Sequence, residues 1–142
     1  MIYLDTNLLV ALVVNEPASA RVHSWLSQQA GEQMATSLWA LMETTSALSI
    51  KVRRRDITQR TATAAAQLLD EQIVPMLELL DVTSAAFIRG EILLRSTELG
   101  LRAGDALHLA ICLGNRSTVL ATADTRLHGA ALKMQQPAFK VY

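Results

Sequence analysis

The segment MIYLDTNLLVALVV (residues 1–14) joins a short strand-like run to a longer helical run. Ile2–Leu4 is apolar and made of residues common in strands, and Asp5 follows it directly. Either Asp5 or Thr6 is suited to cap a helix that we predict to continue to residue 15. The segment therefore predicts a β–α unit with a carboxylate at the carboxyl end of its strand.

The rest of the chain repeats this alternation of short apolar strands and helices. Further strands are predicted at residues 33–36, 76–80, 118–122 and 139–142, and helices at residues 17–29, 37–52, 58–69, 84–98, 104–114 and 124–133. Every predicted strand is apolar on both faces, which is typical of a parallel sheet covered by helices. No linker or internal repeat interrupts the pattern, so residues 1–142 are predicted to form a single α/β domain.

Composition narrows the class of protein. With 51% hydrophobic residues and 18% charged residues, the chain is neither disordered nor fibrous. Its single cysteine, Cys112, cannot form an internal disulfide and belongs to no zinc-binding cluster in the sequence, so we expect a cytoplasmic protein. The longest apolar run near the start of the chain, residues 8–14, is too short to span a membrane, so we expect no membrane segment. The net charge of +0 disfavours a uniformly basic DNA coat, although segregated charges leave nucleic acid open as a partner.

Acidic residues supply the candidate chemistry. Asp5 and Asp124 each follow a predicted strand and Asp105 opens a helix, so each has a structural explanation as a helix cap. Glu43 has none, because it lies mid-helix on an otherwise apolar stripe. Ligands of parallel sheets bind outside the carboxyl ends of the strands. If the strands before Asp5 and Asp124 are neighbours, these two acids lie about 5 Å apart.

Converging carboxylates need a counter-charge. All-oxygen ligands favour hard ions, so Mg²⁺, or Mn²⁺ in its place, is expected rather than Zn²⁺. His108 lies one turn after Asp105, and we interpret it as a packed helix residue hydrogen-bonded to the backbone.

Four blocks of the sequence resemble the PIN domain. They are LDTN (residues 4–7), SLWALMETTSAL (37–48), LRAGDALHLA (101–110) and ATAD (121–124). The size of the chain and the acid at position five resemble in particular the VapC-type toxins of toxin–antitoxin pairs. The resemblance covers essentially the whole chain.

This resemblance implies a PIN-like parallel sheet with strand order 3-2-1-4-5 and helices on both faces. It implies an Mg²⁺-dependent endoribonuclease that hydrolyses RNA phosphodiesters with a metal-activated water. The residues matching the catalytic and metal-binding positions of the family are Asp5, Glu43, Asp105 and Asp124, and the supporting polar positions are Thr6, Asn7 and Thr122. Gly104 stands where Ala is commoner, a difference that we expect to be harmless.

The resemblance also implies partners. These are an RNA substrate, a cognate antitoxin and a second copy of the chain in a homodimer. From the residues themselves, we expect an apolar, helix-rich surface near Leu8, Leu9, Leu12 and Trp25 to supply the protein contact. The candidate RNA-binding residues are Arg53, Arg54, Arg55, Arg102 and Arg126. A solvated helix end favoured by the helix dipole is the other explanation of the run at residues 51–55.

Two other functions fit parts of the sequence. A housekeeping RNA-processing nuclease without an antitoxin would share all four blocks. A non-enzymatic nucleic-acid-binding module could use the basic run at residues 51–55, but it leaves Glu43 unexplained.

Overall fold

Five parallel strands form one sheet in the order β3-β2-β1-β4-β5 in the computed structural model, which describes residues 1–115 and 118–142. The strands are β1 (Ile2–Leu4), β2 (Met34–Ser37), β3 (Glu78–Leu80), β4 (Val119–Thr122) and β5 (Ala138–Lys140). The helices are α1 (Thr6–Val13), α2 (Ser19–Ser27), α3 (Leu38–Arg53), α4 (Gln59–Leu68), α5 (Ser84–Arg95), α6 (Ala103–Gly114) and α7 (Thr125–Lys133). The predicted fold class and strand order are confirmed.

The central strand separates two apolar cores. Tyr3 of β1 packs on one face with residues of α6 such as Leu109. Ile2 and Leu4 pack on the other face with residues of α1 such as Leu8. Because successive side chains of a strand point to opposite faces, all three residues of β1 are buried.

The outer strands differ from the prediction that every strand is buried on both faces. Glu78 and Leu79 of β3 and Phe139 and Lys140 of β5 are exposed. Each of these strands has one neighbour, and solvent reaches its open side. Leu80 is buried where β3 pairs with the end of β2.

Side-chain caps start most of the helices close to the predicted positions. Ser37 caps α3 by accepting a hydrogen bond from the Ala40 N–H at 3.3 Å. Helix α2 begins at Ser19 instead of Pro17, because the Ser19 hydroxyl holds the preceding turn through the Glu16 N–H and the Val14 carbonyl. Gly100 follows α5 in the left-handed region, with φ of 64°, and turns the chain toward α6.

Two expectations about apolar side chains have different outcomes. Cys112 is buried in the core, as predicted. Leu8 and Leu9 are fully buried and lie beneath the surface expected to supply the protein contacts, whereas Leu12 and Trp25 are partly exposed. Across the described part of the chain, no helix combines the length and the apolar character needed to span a membrane.

Candidate active site

The four predicted acids line one cavity of about 450 Å³. It opens where β1 and β4 end, as expected for a parallel sheet. The other residues around it are Thr6, Asn7, Val10, Glu16, Ser46, Ala47, Ile50, His108 and Tyr142. The structure therefore brings together side chains that are up to 119 positions apart between Asp5 and Asp124.

Asp5 is fixed by hydrogen bonds to both carboxylate oxygens. Its Oδ1 accepts the Asn7 N–H at 2.9 Å, which caps α1. Its Oδ2 accepts the Asn7 side-chain amide at 2.9 Å and the Thr122 hydroxyl. Because Leu4 pairs with Ala121, Thr122 is the residue that lies across from Asp5, and Asp124 follows two residues later. The expected lateral pairing of Asp5 with Asp124 is replaced by a contact through Thr122.

Asn7 and Thr122 connect the ends of the two strands. The Asn7 Oδ1 accepts the Ala123 N–H at 2.9 Å, and the Thr122 hydroxyl accepts the Asp124 N–H at 2.9 Å. The same two side chains donate to Asp5. Each acid at the end of a strand is thus held in register with the other.

Burial dominates the electrostatics of Asp5. The residue is 2% exposed, and burial raises its pKa from 3.8 to about 6. The nearby His108 and the hydrogen bonds from Thr122, Asn7 and Leu8 favour the ionised form but offset only part of this effect. A positive ion in the cavity would favour the ionised carboxylate further.

The other two aspartates combine site and helix-capping positions. Asp124 Oδ1 accepts the N–H groups of Arg126 and Leu127 at 2.7 and 2.9 Å, which caps α7. Asp105 is the third residue of α6, and its Oδ2 accepts the Arg102 N–H at 3.1 Å. In each case the capping bond uses one carboxylate oxygen. The capping and site interpretations of these residues are therefore compatible.

Glu43 enters the cavity from the middle of α3. Its Oε2 accepts hydrogen bonds from the Thr6 hydroxyl at 2.6 Å and from His108 Nε2 at 2.7 Å. Burial alone would raise the pKa of Glu43, but the hydrogen bonds from His108 and Thr6 outweigh it and hold the pKa below its usual range. Glu43 is consequently an ionised carboxylate with one oxygen fixed.

His108 differs from its sequence interpretation. It is buried, but its partners are side chains and not the backbone. Because a carboxylate only accepts, Nε2 donates to Glu43, and Nδ1 lies 2.8 Å from the Tyr3 hydroxyl. Tyr3 is in turn 2.7 Å from the Ser37 hydroxyl. A chain of buried polar groups therefore runs from β2 through β1 and α6 to Glu43.

Two titratable residues of the cavity, His108 and Glu16, were not predicted as part of the site. The spacing of His108 after Asp105 was a usable signal, since both lie on one face of α6. Glu16 is a fifth carboxylate at the cavity, and it forms an ion pair with Lys51 of α3. No local pattern marks Glu16, because it lies between α1 and α2 and its partner Lys51 is 35 positions away on α3.

The predicted RNA-binding arginines lie outside this cavity. Arg53, Arg54 and Arg55 are exposed at the end of α3, where Arg53 borders a separate groove between α3 and α4. Arg102 and Arg126 are exposed beside Asp105 and Asp124, to which they donate through backbone N–H groups. None of the five arginines lines the cavity that holds the acids.

The carboxylate oxygens of the four acids are ligands that suit a hard cation. The four side chains are not, however, gathered around one point. Within residues 1–115 and 118–142, no group of three or more His, Cys, Asp or Glu side chains is close enough together to hold a metal ion as it stands. Mg²⁺ commonly uses one or two carboxylates and keeps several waters. The oxygens of Asp5, Glu43, Asp105 and Asp124 around one cavity are compatible with such binding.

Comparison with known proteins identifies the family. Residues 2–133 match the sequence profile of the PIN domain. The chain belongs to the PIN domain family. A comparison of this sequence with curated protein sequences found no significant match.

Solved structures share the fold of this PIN domain at low sequence identity. FitAcB from Neisseria gonorrhoeae is 20% identical, with a TM-score of 0.72 over 99% of this chain and 98% of that one. VapC20 from Mycobacterium tuberculosis, described as a sarcin-ricin loop cleaving toxin, is 21% identical, with a TM-score of 0.69 over 92% and 95% of the two chains. A toxin–antitoxin complex from Klebsiella pneumoniae is also 21% identical, with a TM-score of 0.63 over 100% and 98%.

Proposed function

We propose that this PIN domain is a metal-dependent endoribonuclease toxin of a toxin–antitoxin pair. The observation that carries the proposal is the single cavity lined by Asp5, Glu43, Asp105 and Asp124. Membership of the PIN family supports a nuclease, and the description of VapC20 as a toxin that cleaves the sarcin-ricin loop supports RNA as the substrate.

Mg²⁺, with Mn²⁺ as a substitute, is the ion that fits this donor set. Asp5, Glu43, Asp105 and Asp124 would hold it, in part through water. When bound, the ion stabilises negative charge on the phosphoryl oxygens and lowers the pKa of water.

The residues of the chain provide orientation. Asn7 and Thr122 donate to Asp5 and so aim its carboxylate into the cavity. Thr6 and His108 hold one oxygen of Glu43. The second oxygen of Glu43 has no hydrogen bond to any residue in the described part of the chain, and it is available to accept from an attacking water.

The proposed partners are an antitoxin and a second copy of this chain. Relatives solved as toxin–antitoxin complexes support the antitoxin. For the homodimer we propose an apolar face formed by the start of α3 and by α5. Its exposed side chains are Leu38, Met42, Phe87, Ile88 and Ile92. The two helices meet there, because Trp39 and Phe87 line the same cleft.

Cleavage of RNA by the purified protein tests the proposed reaction. We expect total cellular RNA to be cut in Mg²⁺ or Mn²⁺ and to stay intact in EDTA, with sites mapped by sequencing the new 5′ ends. Asp105→Asn should lower the rate at least ~10²-fold, because it removes a main electrostatic group of the site. The bond from the Arg102 N–H survives this substitution, so the helix start is kept.

Asp70→Asn is the matched control, because Asp70 is an exposed acid that does not line the cavity. Its cleavage rate should equal that of the wild type. Undiminished cleavage in excess EDTA, or equal loss in both variants, would refute the metal-dependent mechanism.

A further inference from the structure

Gly104, in the first turn of α6, lies directly against the Glu43 carboxylate. A Cβ atom built on Gly104 would be 2.6 Å from Glu43 Oε1 and 3.6 Å from Trp39 Cζ2. The first distance is a clash, and the second is ordinary contact. Backbone conformation does not require glycine here, because the glycines with positive φ are Gly31 and Gly100. Space for Glu43 is the feature that glycine provides.

The Glu43 carboxylate has little freedom to move away from such a clash. Its other oxygen, Oε2, is held by Thr6 at 2.6 Å and by His108 at 2.7 Å. The His108 ring is itself held by the buried Tyr3 hydroxyl at 2.8 Å. A rotation that carried Oε1 away from α6 would therefore lengthen or break at least one of these bonds.

We propose that Gly104 is a positioning residue for Glu43. By carrying no side chain, it seats Oε1 against the start of α6 while Thr6 and His108 hold Oε2. The amino-terminal end of a helix also favours a carboxylate through its dipole. The effect of Gly104 on ion binding rests on the proposed function. The steric relation between Gly104 and Glu43 does not depend on that function. This proposed role differs from the expectation that glycine in place of alanine is harmless at this position.

A thermal double-mutant cycle in EDTA tests the steric relation. Gly→Ala in a helix normally stabilises a protein where the conformation allows it. Gly104→Ala should therefore raise the melting temperature in a Glu43→Ala background, by about 2 °C. In the wild-type background it should leave the melting temperature unchanged or lower it, because the methyl group meets Glu43.

Gly129→Ala is the matched control, because a Cβ on Gly129 of α7 meets nothing within 4 Å. It should raise the melting temperature equally in both backgrounds. Equal shifts by Gly104→Ala in the two backgrounds would overturn the proposed contact, since residues that do not interact give additive effects.

Mn²⁺ binding, followed by electron paramagnetic resonance of the free ion, tests the positioning role. Gly104→Ala should weaken Mn²⁺ binding about 10-fold, the scale seen when a group that orients a ligand is lost. Gly129→Ala should bind Mn²⁺ like the wild type. Unchanged Mn²⁺ affinity in Gly104→Ala would overturn the positioning role. If the wild type bound no Mn²⁺, the proposed metal site would fail, and the melting cycle would still decide the contact between Gly104 and Glu43.

Discussion

Asp5 is the only buried member of the four acids. Three hydrogen bonds to its two oxygens come from Asn7 and Thr122, so these two residues orient its carboxylate. These bonds do not compensate for the loss of solvent, and the pKa remains raised, at about 6. Burying Asp5 in the position that the proposed chemistry needs therefore lowers the free energy of unfolding near neutral pH when no ion is bound.

The stability of the metal-free protein should depend on pH through Asp5. A carboxylate with a raised pKa in the folded state stabilises the fold at low pH, and this contribution is lost as the pH rises from 3.8 through about 6. The difference in unfolding free energy between the wild type and Asp5→Asn should shift by about 2 kcal/mol against the wild type between pH 4 and pH 7. Urea unfolding in EDTA measures it. A difference that stays constant with pH would contradict the raised pKa.

Helix α3 combines three roles along its length. Its first turn is capped by Ser37, its middle carries Glu43, and its end carries the basic run at residues 51–55. Arg55 has φ of 65°, in the left-handed region that favours glycine. A side chain in this conformation costs about 1 kcal/mol. Gln135, just after α7, adopts the same conformation with φ of 56°, so this backbone geometry marks the end of a helix and not a role for charge.

Neutralising the end of α3 should weaken RNA binding. Replacing Arg53, Arg54 and Arg55 together with Gln should flatten the dependence of log affinity on log salt by up to ~0.7 for each lost phosphate contact. Fluorescence anisotropy with labelled RNA in EDTA measures binding without cleavage. The control replaces Arg21, Lys133 and Lys140, which are also exposed, with Gln. If the two triple variants showed the same dependence of log affinity on log salt, the basic run at residues 51–55 would be only a solvated helix end.

Apolar side chains at the surface of the whole molecule are concentrated on the face formed by α3 and α5. Ile88 is 62% exposed and Leu38 is 65% exposed, whereas Leu8 and Leu9 of α1 are fully buried. Soluble monomers seldom leave a large contiguous apolar patch open to water. Homodimer interfaces are more apolar than ordinary surface. This face is therefore the best candidate for contact with a second copy.

A charge introduced on this face should separate the proposed dimer. Ile88→Glu is expected to give a monomer at micromolar concentration by light scattering, because the introduced carboxylate would lose its solvent in the interface. Leu132→Glu is the matched control: Leu132 is a 54% exposed apolar residue on α7, and its replacement should leave the dimer intact. A monomeric wild type, or a dimeric Ile88→Glu protein, would contradict the assignment.

Much of the fold could be predicted from the sequence because its signals are local. Short apolar strands alternate with capped helices, and this pattern indicates a parallel sheet. The strand order came from the resemblance to PIN domains and is confirmed. An acid that follows a strand of a parallel sheet lies at the carboxyl ends of the strands, where ligands bind. Asp5 and Asp124 could therefore be predicted as candidate site residues.

The contacts around Glu43 could be seen only in the tertiary structure. His108 is 65 positions from Glu43 and 105 from Tyr3, so no sequence window contains the chain of hydrogen bonds that joins them. The space at Gly104 is likewise a property of how α6 packs on α3. Residue type and spacing thus determined which acids the protein carries and where along the strands they occur. Only the packing of distant elements decided how Glu43 is held, because hydrogen bonds and steric contacts act over a few ångströms in space, regardless of separation along the chain.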